Sequence, residues 1–246
     1  MSEIFDEIDV FPDPGAKQRY EQIVGLESVQ QRLIKEGSLL IDPSLLDSWS
    51  MRHYKKAIPL IEIFRRKPPL FIFAGDVGTG KTTLAETFGD ELARQHGIAG
   101  MLYRLSLKSR GNGLVGDMTK TITSAFEEVR NEAKRNVKGK KPSTLYILLI
   151  DEADALAQSR EEAQMHHEDK SGVNALIRGI DSIAHEKIPV LIVMCTNRLS
   201  AIDPAVKRRA ADIFLFERPN EEQRAHILGN ALKDTGIDEQ HLKSLV

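Results

Sequence analysis

The stretch from Phe71 to Thr83 joins an apolar strand pattern to a glycine-rich loop and then to a helical pattern. Within it, the spacing Gly-x-x-x-x-Gly-Lys-Thr runs from Gly75 to Thr82. Glycines let backbone N–H groups surround a polyphosphate, the lysine reaches the β- and γ-phosphate oxygens, and the threonine hydroxyl can bind Mg²⁺. The sequence therefore predicts a nucleoside triphosphatase. The residues of this phosphate-binding loop (75–83) expected around ATP are Asp76, Val77, Gly78, Thr79, Gly80, Lys81, Thr82 and Thr83.

A second apolar run, residues 145–150, ends in the acidic pair Asp151 and Glu152. A strand that ends in two carboxylates beside a phosphate-binding loop is the Walker B arrangement. We expect Asp151 to hold Mg²⁺ together with Thr82. We expect Glu152 to orient and polarise the water that attacks the γ-phosphate.

The next apolar run, residues 190–196, ends in Asn197, and two adjacent arginines follow it at positions 208 and 209. An amide at a strand tip can reach both the attacking water and the γ-phosphate. Arg208 and Arg209 cannot easily reach the nucleotide of their own chain. They can reach that of a neighbouring subunit, where an arginine stabilises the charge of the transition state.

Short apolar runs bounded by breakers alternate with helical patterns along the chain, which predicts an α/β fold with a five-stranded parallel sheet covered by helices. The predicted strands are Leu70–Ala74, Met101–Leu107, Leu145–Ile150, Val190–Cys195 and Ile213–Phe216. The predicted helices run from Lys81 to about Gln95, with Gly97 as a stop, from Asp117 to Val137 and from Ser171 to Ile183.

The two ends of the chain differ from this pattern. Residues 1–22 show no periodicity and are expected to form an N-terminal arm without an assigned role. Asn220 to Gln223 has the pattern of a helical capping box, which predicts a helix to about residue 236 and a second helix from about residue 238. We therefore expect an ATPase domain over residues 23–218 and the start of a helical lid over residues 219–246, with the rest of the lid past Val246.

Composition excludes several classes of protein. The 246 residues include one cysteine, Cys195, so neither a disulfide framework nor a multi-cysteine metal site is expected, and a reducing cytoplasmic location is favoured. The acidic N-terminus and the lack of about 18 consecutive apolar residues argue against export and membrane spanning. A net charge of −2 gives no electrostatic indication of nucleic-acid binding.

Taken together, these motifs in this order resemble the AAA+ ATPases over roughly residues 20–246. The resemblance implies a hexameric ring with ATP at the subunit interfaces. It also implies that Ile23, Val24 and Gly25 border the adenine and that Asn197 is the sensor 1 residue. Arg209 is the first choice for the arginine finger and Arg208 the second, and the sensor 2 residue is expected past Val246.

Within that family, the chain is similar to the remodellers of HORMA-domain proteins, that is, the pachytene-checkpoint ATPases and their bacterial counterparts in cyclic-oligonucleotide anti-phage signalling (CBASS). The residues that carry this likeness are Leu105–Ser109, Gly113–Lys120, Val173–Leu176, Asp181–Ile183 and Arg209–Ile213. The resemblance implies an ATP-driven enzyme that threads part of a HORMA-domain protein through its pore. The short stretch before Ile23 favours either the minimal, bacterial type or an enzyme whose partner binds elsewhere.

The segment Gly111–Gly116 lies where such rings place a loop that faces the central pore. Its apolar tip, Leu114 and Val115, is flanked by glycines and is expected to contact the substrate chain. Related unfoldases carry an aromatic residue there, so these aliphatic side chains imply a different grip. Residues 159–170 would form the second pore loop.

Two other functions remain open at this point. One is a DNA-associated AAA+ protein such as a clamp or helicase loader, which the near-neutral charge disfavours. The other is an unfoldase linked to a protease, which would need a docking tail for that protease.

Overall fold

The computed structural model describes residues 4–65, 67–107, 117–136, 142–154 and 169–232. Within these ranges, six strands and nine α-helices follow one another. The strands are β1 (Glu7–Phe11), β2 (Leu70–Gly75), β3 (Ala99–Ser106), β4 (Thr144–Asp151), β5 (Val190–Thr196) and β6 (Ala210–Phe216). The helices are α1 (Pro14–Glu21), α2 (Glu27–Ile41), α3 (Ser44–Tyr54), α4 (Leu60–Arg65), α5 (Lys81–His96), α6 (Asp117–Asn136), α7 (Asp169–Glu186), α8 (Pro204–Lys207) and α9 (Glu221–Ala231).

The strands form one sheet in the order β1-β3-β4-β5-β2-β6. All neighbours are parallel except β1, which pairs antiparallel with β3. The predicted five parallel strands are all present, and most extend one to three residues further than expected. The predicted α/β fold, with a parallel sheet covered by helices, is confirmed, and β1 adds a sixth, antiparallel strand at the edge that the sequence pattern did not indicate.

Tertiary contacts explain why the sequence pattern did not indicate strand β1. Glu7 and Asp9 of β1 both form ion pairs with Arg104 of β3, which itself also pairs with Glu86 of α5. Two of the five residues of β1 are acidic, which by itself indicates a solvent-exposed arm. The arginine that pairs with both of them lies far along the chain, so the local sequence does not show the pairing. The acidic start of the chain is therefore part of the sheet.

The segment predicted as an arm is packed against α5, the helix that follows the phosphate-binding loop. Phe11 is 2% exposed and fits against Gly89, where an added Cβ would lie 2.7 Å from the phenyl ring. Asp13 caps α1 by accepting a hydrogen bond from the Ala16 N–H at 2.6 Å. Its own N–H donates to the buried Asp90 of α5, also at 2.6 Å. These contacts fix α1 beside α5.

Helices cover both faces of the sheet, which explains why the central strands are apolar along their whole length. Helices α2 and α5 bury one face, and α6 and α7 bury the other. Helix α5 ends at His96, and Gly97 caps it as the predicted stop, with φ +63° and its N–H donated to carbonyl oxygens of the last turn. Helices α3 and α4, between α2 and β2, had no counterpart in the predicted pattern. None of the described helices combines the length and the apolar composition needed to cross a membrane.

The capping box of α9 is formed as predicted. The Asn220 side chain accepts from the Gln223 N–H at 2.9 Å, and the Gln223 side chain accepts from the Asn220 N–H at 2.9 Å. The helix ends at Ala231. The expected continuation to about residue 236 and the second helix of the lid lie outside the described residues.

Cys195 provides a chemical test of the buried sheet. It lies on β5 and is 1% exposed. Burial raises the pKa of its thiol well above the ordinary value, and the charge of Asp151 raises it further. Because the thiolate is the reactive form, we expect a disulfide reagent at about pH 8 to leave the folded chain unmodified and to label it fully after denaturation. Rapid labelling of the native protein would contradict the buried position of β5.

Candidate nucleotide-binding site

The phosphate-binding loop joins β2 directly to α5. Gly78 and Gly80 have φ angles of +78° and +87°, a region that residues with a Cβ rarely adopt. At Gly75, an added Cβ would lie 2.2 Å from the Phe216 carbonyl oxygen of the neighbouring strand β6. The glycines of the motif are thus required by the path of the backbone. That path leaves the N-terminus of α5, with its unpaired N–H groups, facing the loop.

Lys81 is the first residue of α5 and is only 6% exposed. Its ammonium group donates a 2.6 Å hydrogen bond back across the loop to the carbonyl oxygen of Asp76. The Thr79 hydroxyl donates to the same oxygen at 2.8 Å. The lysine therefore lies folded over the loop, where an anionic ligand can replace a neutral carbonyl as its partner.

Thr82 and Asp151 are brought together from different elements. The Thr82 hydroxyl donates a hydrogen bond of 3.1 Å to one carboxylate oxygen of Asp151 at the end of β4. The other oxygen accepts from the Glu152 N–H at 2.8 Å. A hydroxyl and a carboxylate are hard oxygen donors, which Mg²⁺ prefers, and Mg²⁺ needs few protein ligands when phosphates and waters supply the rest. The pair therefore fits this ion.

Glu152 has a left-handed backbone, with φ +52°. The next residue holds this turn in place, since the Ala153 N–H donates to the Cys195 carbonyl oxygen at 2.9 Å. A non-glycine residue in this conformation is uncommon and is often found at functional sites.

Asn197 is exposed directly after β5. Strand β5 lies between β4 and β2, with Met194 opposite Ile150 and Thr196 opposite Ala74. The tip that carries Asn197 is therefore flanked by the acidic pair on one side and by the phosphate-binding loop on the other. This is the position that the sequence pattern predicted.

The two arginines lie at the opposite end of the sheet. They precede Ala210, which pairs with Leu70 at the start of β2, whereas the phosphate-binding loop follows Gly75 at its end. Neither is therefore placed at the nucleotide site of its own chain.

Arg209 and Arg208 differ in their bonding. The Arg209 guanidinium binds the Asp181 carboxylate through two hydrogen bonds of 2.7 and 2.9 Å, and it also donates to the Ala205 carbonyl at 3.0 Å. The Asp181 hydrogen bonds raise the pKa of Arg209 above its ordinary value. Arg208 is exposed, and its side chain donates a 3.3 Å hydrogen bond from Nε to the Pro204 carbonyl oxygen.

A cavity of about 280 Å³ adjoins the phosphate-binding loop, with Gly78, Thr79 and Gly80 in its lining. Ile23, Val24 and Gly25 form part of its wall, as expected for residues that border an adenine. The sequence pattern missed several further lining residues. They are Arg19 of α1, Gln22 directly after it, Leu26, Glu217, Pro219, and Gln223 and Ile227 of α9.

Gly25 marks the contact between this wall and α9. Its φ is +79°, and an added Cβ would lie 2.3 Å from the side-chain nitrogen of Gln223. The glycine thus allows the N-terminus of α9 to close over the cavity. In the sequence, this contact is marked by a glycine at position 25 and by the capping-box glutamine at position 223. The two residues can be paired with each other only once the fold is known.

Asp76 and Arg218 form an ion pair that the sequence pattern also missed. Arg218 donates to one Asp76 carboxylate oxygen from Nε at 2.9 Å and from Nη2 at 2.6 Å. The other oxygen accepts from the Val77 N–H at 3.1 Å. The Arg218 hydrogen bond, followed by that of Val77, lowers the pKa of Asp76 below its ordinary value.

The predicted pore-loop residues Leu114 and Val115 lie outside the described residues, as do residues 159–168 of the second predicted loop.

Comparisons with known proteins agree with this geometry. The family model described as "ATPase family associated with various cellular activities (AAA)" matches residues 71–218. CD-NTase-associated protein 6 of Escherichia coli (strain MS 115-1) is 48% identical over 248 aligned positions, which span all of this chain and 79% of that protein.

Two solved structures of similar proteins share the fold. A chain in the E. coli MS115-1 HORMA:CdnC:Trip13 complex superposes with a TM-score of 0.88 at 48% identity, over 98% of this chain and 79% of that one. Rhizobiales Trip13 gives a TM-score of 0.72 at 37% identity, over 98% of this chain and 80% of that one. The chain therefore belongs to the AAA family of ATPases, in the group that includes CD-NTase-associated protein 6 and the Trip13 proteins.

Proposed function

We propose that this chain is the subunit of a hexameric ring that uses ATP hydrolysis to unfold part of a HORMA-domain protein and so disassemble its complex, in bacterial anti-phage signalling. The observation that carries the proposal is the 48% identity, along nearly the whole chain, both to CD-NTase-associated protein 6 of E. coli and to a chain of the solved E. coli complex named for HORMA, CdnC and Trip13. The lone cysteine supports a cytoplasmic location for this activity.

In the proposed mechanism, each residue of the site has one task. Lys81 exchanges the Asp76 carbonyl for the β- and γ-phosphates, whose remaining oxygens accept from loop N–H groups. Thr82 and Asp151 would hold Mg²⁺, which neutralises charge on those phosphates. Glu152 accepts a proton from the attacking water, and Asn197 orients that water from the tip of β5.

We propose that residues 23–218, together with the packed strand β1 and helix α1, form the ATPase domain and that residues 219–246 begin the lid. The close approach of Gly25 and Gln223 supports a domain boundary near Pro219. At this point the cavity wall formed by the ATPase domain contacts α9, the first helix of the proposed lid, beside the proposed adenine site. Leu114 and Val115 are proposed to grip the substrate in the ring pore.

The arginine finger is proposed to be Arg208 in preference to Arg209. Arg209 is held by Asp181 within its own chain, whereas Arg208 is exposed on the same corner. We expect Arg208→Ala to lower ATP turnover by roughly 10³-fold with nearly unchanged ATP affinity, because a finger acts on the transition state of the neighbouring subunit.

Arg209→Ala serves as the comparison, with steady-state phosphate release and nucleotide binding measured for both variants. Rings mixed from Arg208→Ala and Lys81→Ala subunits test action across the interface. Where an Arg208→Ala subunit, which has an intact Lys81, receives the intact Arg208 of a Lys81→Ala neighbour, the interface contains both groups. Such mixed rings should therefore regain part of the ATP hydrolysis that each variant lacks alone. A selective loss in Arg209→Ala would instead assign the finger to Arg209.

The test of the proposed function is capture of the substrate. Glu152→Gln protein is expected to hold ATP without hydrolysing it, and so to retain its partner when it is purified from its native cell. Mass spectrometry should then identify a HORMA-domain protein that is present with ATP and lost in Lys81→Ala. Recovery of clamp, helicase or protease subunits would contradict the proposal and favour a loader or a protease-linked unfoldase.

A further inference from the structure

The phosphate-binding loop contains a carboxylate where it must receive an anion. Asp76 directly follows Gly75, and its carbonyl oxygen accepts the hydrogen bond from Lys81. The side chain of Asp76 is ionised at neutral pH, since its pKa is lowered. An uncompensated negative charge at this position repels a polyphosphate.

The Asp76 side chain receives its compensation from a distant part of the chain. Lys81 bonds to the carbonyl oxygen of Asp76, whereas two nitrogens of Arg218 lie within 2.9 Å of its carboxylate. Arg218 lies between β6 and α9, in the segment that leads into the proposed lid. Its side chain is 74% exposed and that of Asp76 is 56% exposed, so water alone can satisfy both when they are apart.

An exposed pair of this kind adds little to folding stability. The effect of the pair on the binding of an anionic ligand is expected to be larger than its effect on folding stability. The anion would bind next to the Asp76 carboxylate, whose charge Arg218 neutralises while the two side chains are paired. The pair also joins the loop to the segment that precedes α9, so its formation depends on where that segment lies.

We propose that Arg218 is a positioning residue that neutralises Asp76 in the phosphate-binding loop and thereby raises the affinity for nucleoside triphosphate. The inference rests on nucleotide binding by this site and is independent of the HORMA-domain partner. It predicts that the importance of Arg218 depends on the presence of the Asp76 carboxylate.

The test is a double-mutant cycle with a non-hydrolysable, fluorescent ATP analogue and Mg²⁺. Arg218→Ala should weaken binding by roughly tenfold at low salt, and less at high salt, because screening reduces the repulsion. Asp76→Asn alone should bind at least as tightly as the unmodified chain. The double variant should bind within about twofold of Asp76→Asn, since no charge remains to be compensated.

Two further variants separate charge from structure. Arg218→Lys keeps the positive charge and should retain most of the affinity. Arg135→Ala is the matched control, because Arg135 is 76% exposed and ion-paired on α6, and its removal should leave binding unchanged. Thermal unfolding midpoints should be nearly equal for all variants.

The inference is overturned if Arg218→Ala binds as tightly as the unmodified chain. It is also overturned if the loss persists in the double variant, which would mean that Arg218 acts on the nucleotide without Asp76. If the unmodified chain failed to bind the analogue, both this inference and the proposed ATP-driven function would be wrong. Failure of the Arg218 inference alone is recognised by normal binding of the analogue to the unmodified chain. Loss of HORMA capture with an intact cycle would leave this inference standing.

Discussion

Replacement of Lys81 by methionine or alanine is expected to lower ATP affinity by roughly 10²-fold or more and to reduce hydrolysis to background. The ammonium group makes charge-assisted hydrogen bonds to the phosphates, each worth about 1.5–3 kcal/mol. Because the side chain is 6% exposed, methionine is the sharper variant, since it keeps the buried stem and removes only the charge. Titration calorimetry and phosphate release measure the two effects.

The control for this variant is Lys134→Met. Lys134 lies on α6 and pairs with Glu186 at 2.7 Å, far from the phosphate-binding loop, so its loss should leave binding and turnover unchanged. A Lys81→Met protein that remained folded and bound ATP with undiminished affinity would show that the loop is not the nucleotide site.

Glu152→Gln is expected to lower the hydrolysis rate by roughly 10²- to 10⁴-fold while ATP binding persists, because the amide keeps the shape of the side chain but cannot accept the proton. The substitution leaves the φ of +52° and the hydrogen bond from the Glu152 N–H to Asp151 available. Single-turnover hydrolysis and retention of labelled ATP on the protein are the measurements. The two substitutions thus separate binding from chemistry.

Glu127→Gln provides the control for that experiment, since Glu127 is exposed on α6. It should hydrolyse ATP at the unmodified rate. Normal turnover by Glu152→Gln would mean that another group receives the proton and that the acidic pair after β4 has been assigned the wrong roles.

The parts of the site that are local in sequence could be predicted from it. The strand, loop and helix around Lys81 lie within a few residues of one another, and each residue type there has a single physical reason to be present. The acidic pair and Asn197 could also be placed, because the ends of parallel strands share one edge of a sheet. The motifs and the strand pattern together therefore predicted that three separate segments lie close to one another.

The remaining contacts depend on pairs that lie far apart in the chain. Arg218 and Asp76 are separated by 142 positions, and Arg209 and Asp181 by 28. Periodicity carries no information about such pairs. The proposed preference for Arg208 depends on Asp181, and the proposed neutralisation of Asp76 depends on Arg218, so both proposals needed side-chain geometry.

The N-terminal segment illustrates the same limit. Its residues have weak strand and helix signals of their own, and Arg104, Gly89 and Asp90 supply the partners that order it. Once ordered, it places Arg19 and Gln22 in the wall of the nucleotide cavity. A segment without an assigned role in the sequence thus belongs to the candidate site.

The central claim, that this ring uses ATP to remodel a HORMA-domain protein, is tested most directly by peptide release. A HORMA-domain protein from the same organism is loaded with a fluorescent form of its bound peptide, and the anisotropy is followed after the chain and ATP are added. The proposal predicts release that requires ATP, is absent with Lys81→Met and is blocked by Glu152→Gln. Vigorous ATP hydrolysis with no peptide release, or equal release without ATP, would contradict it.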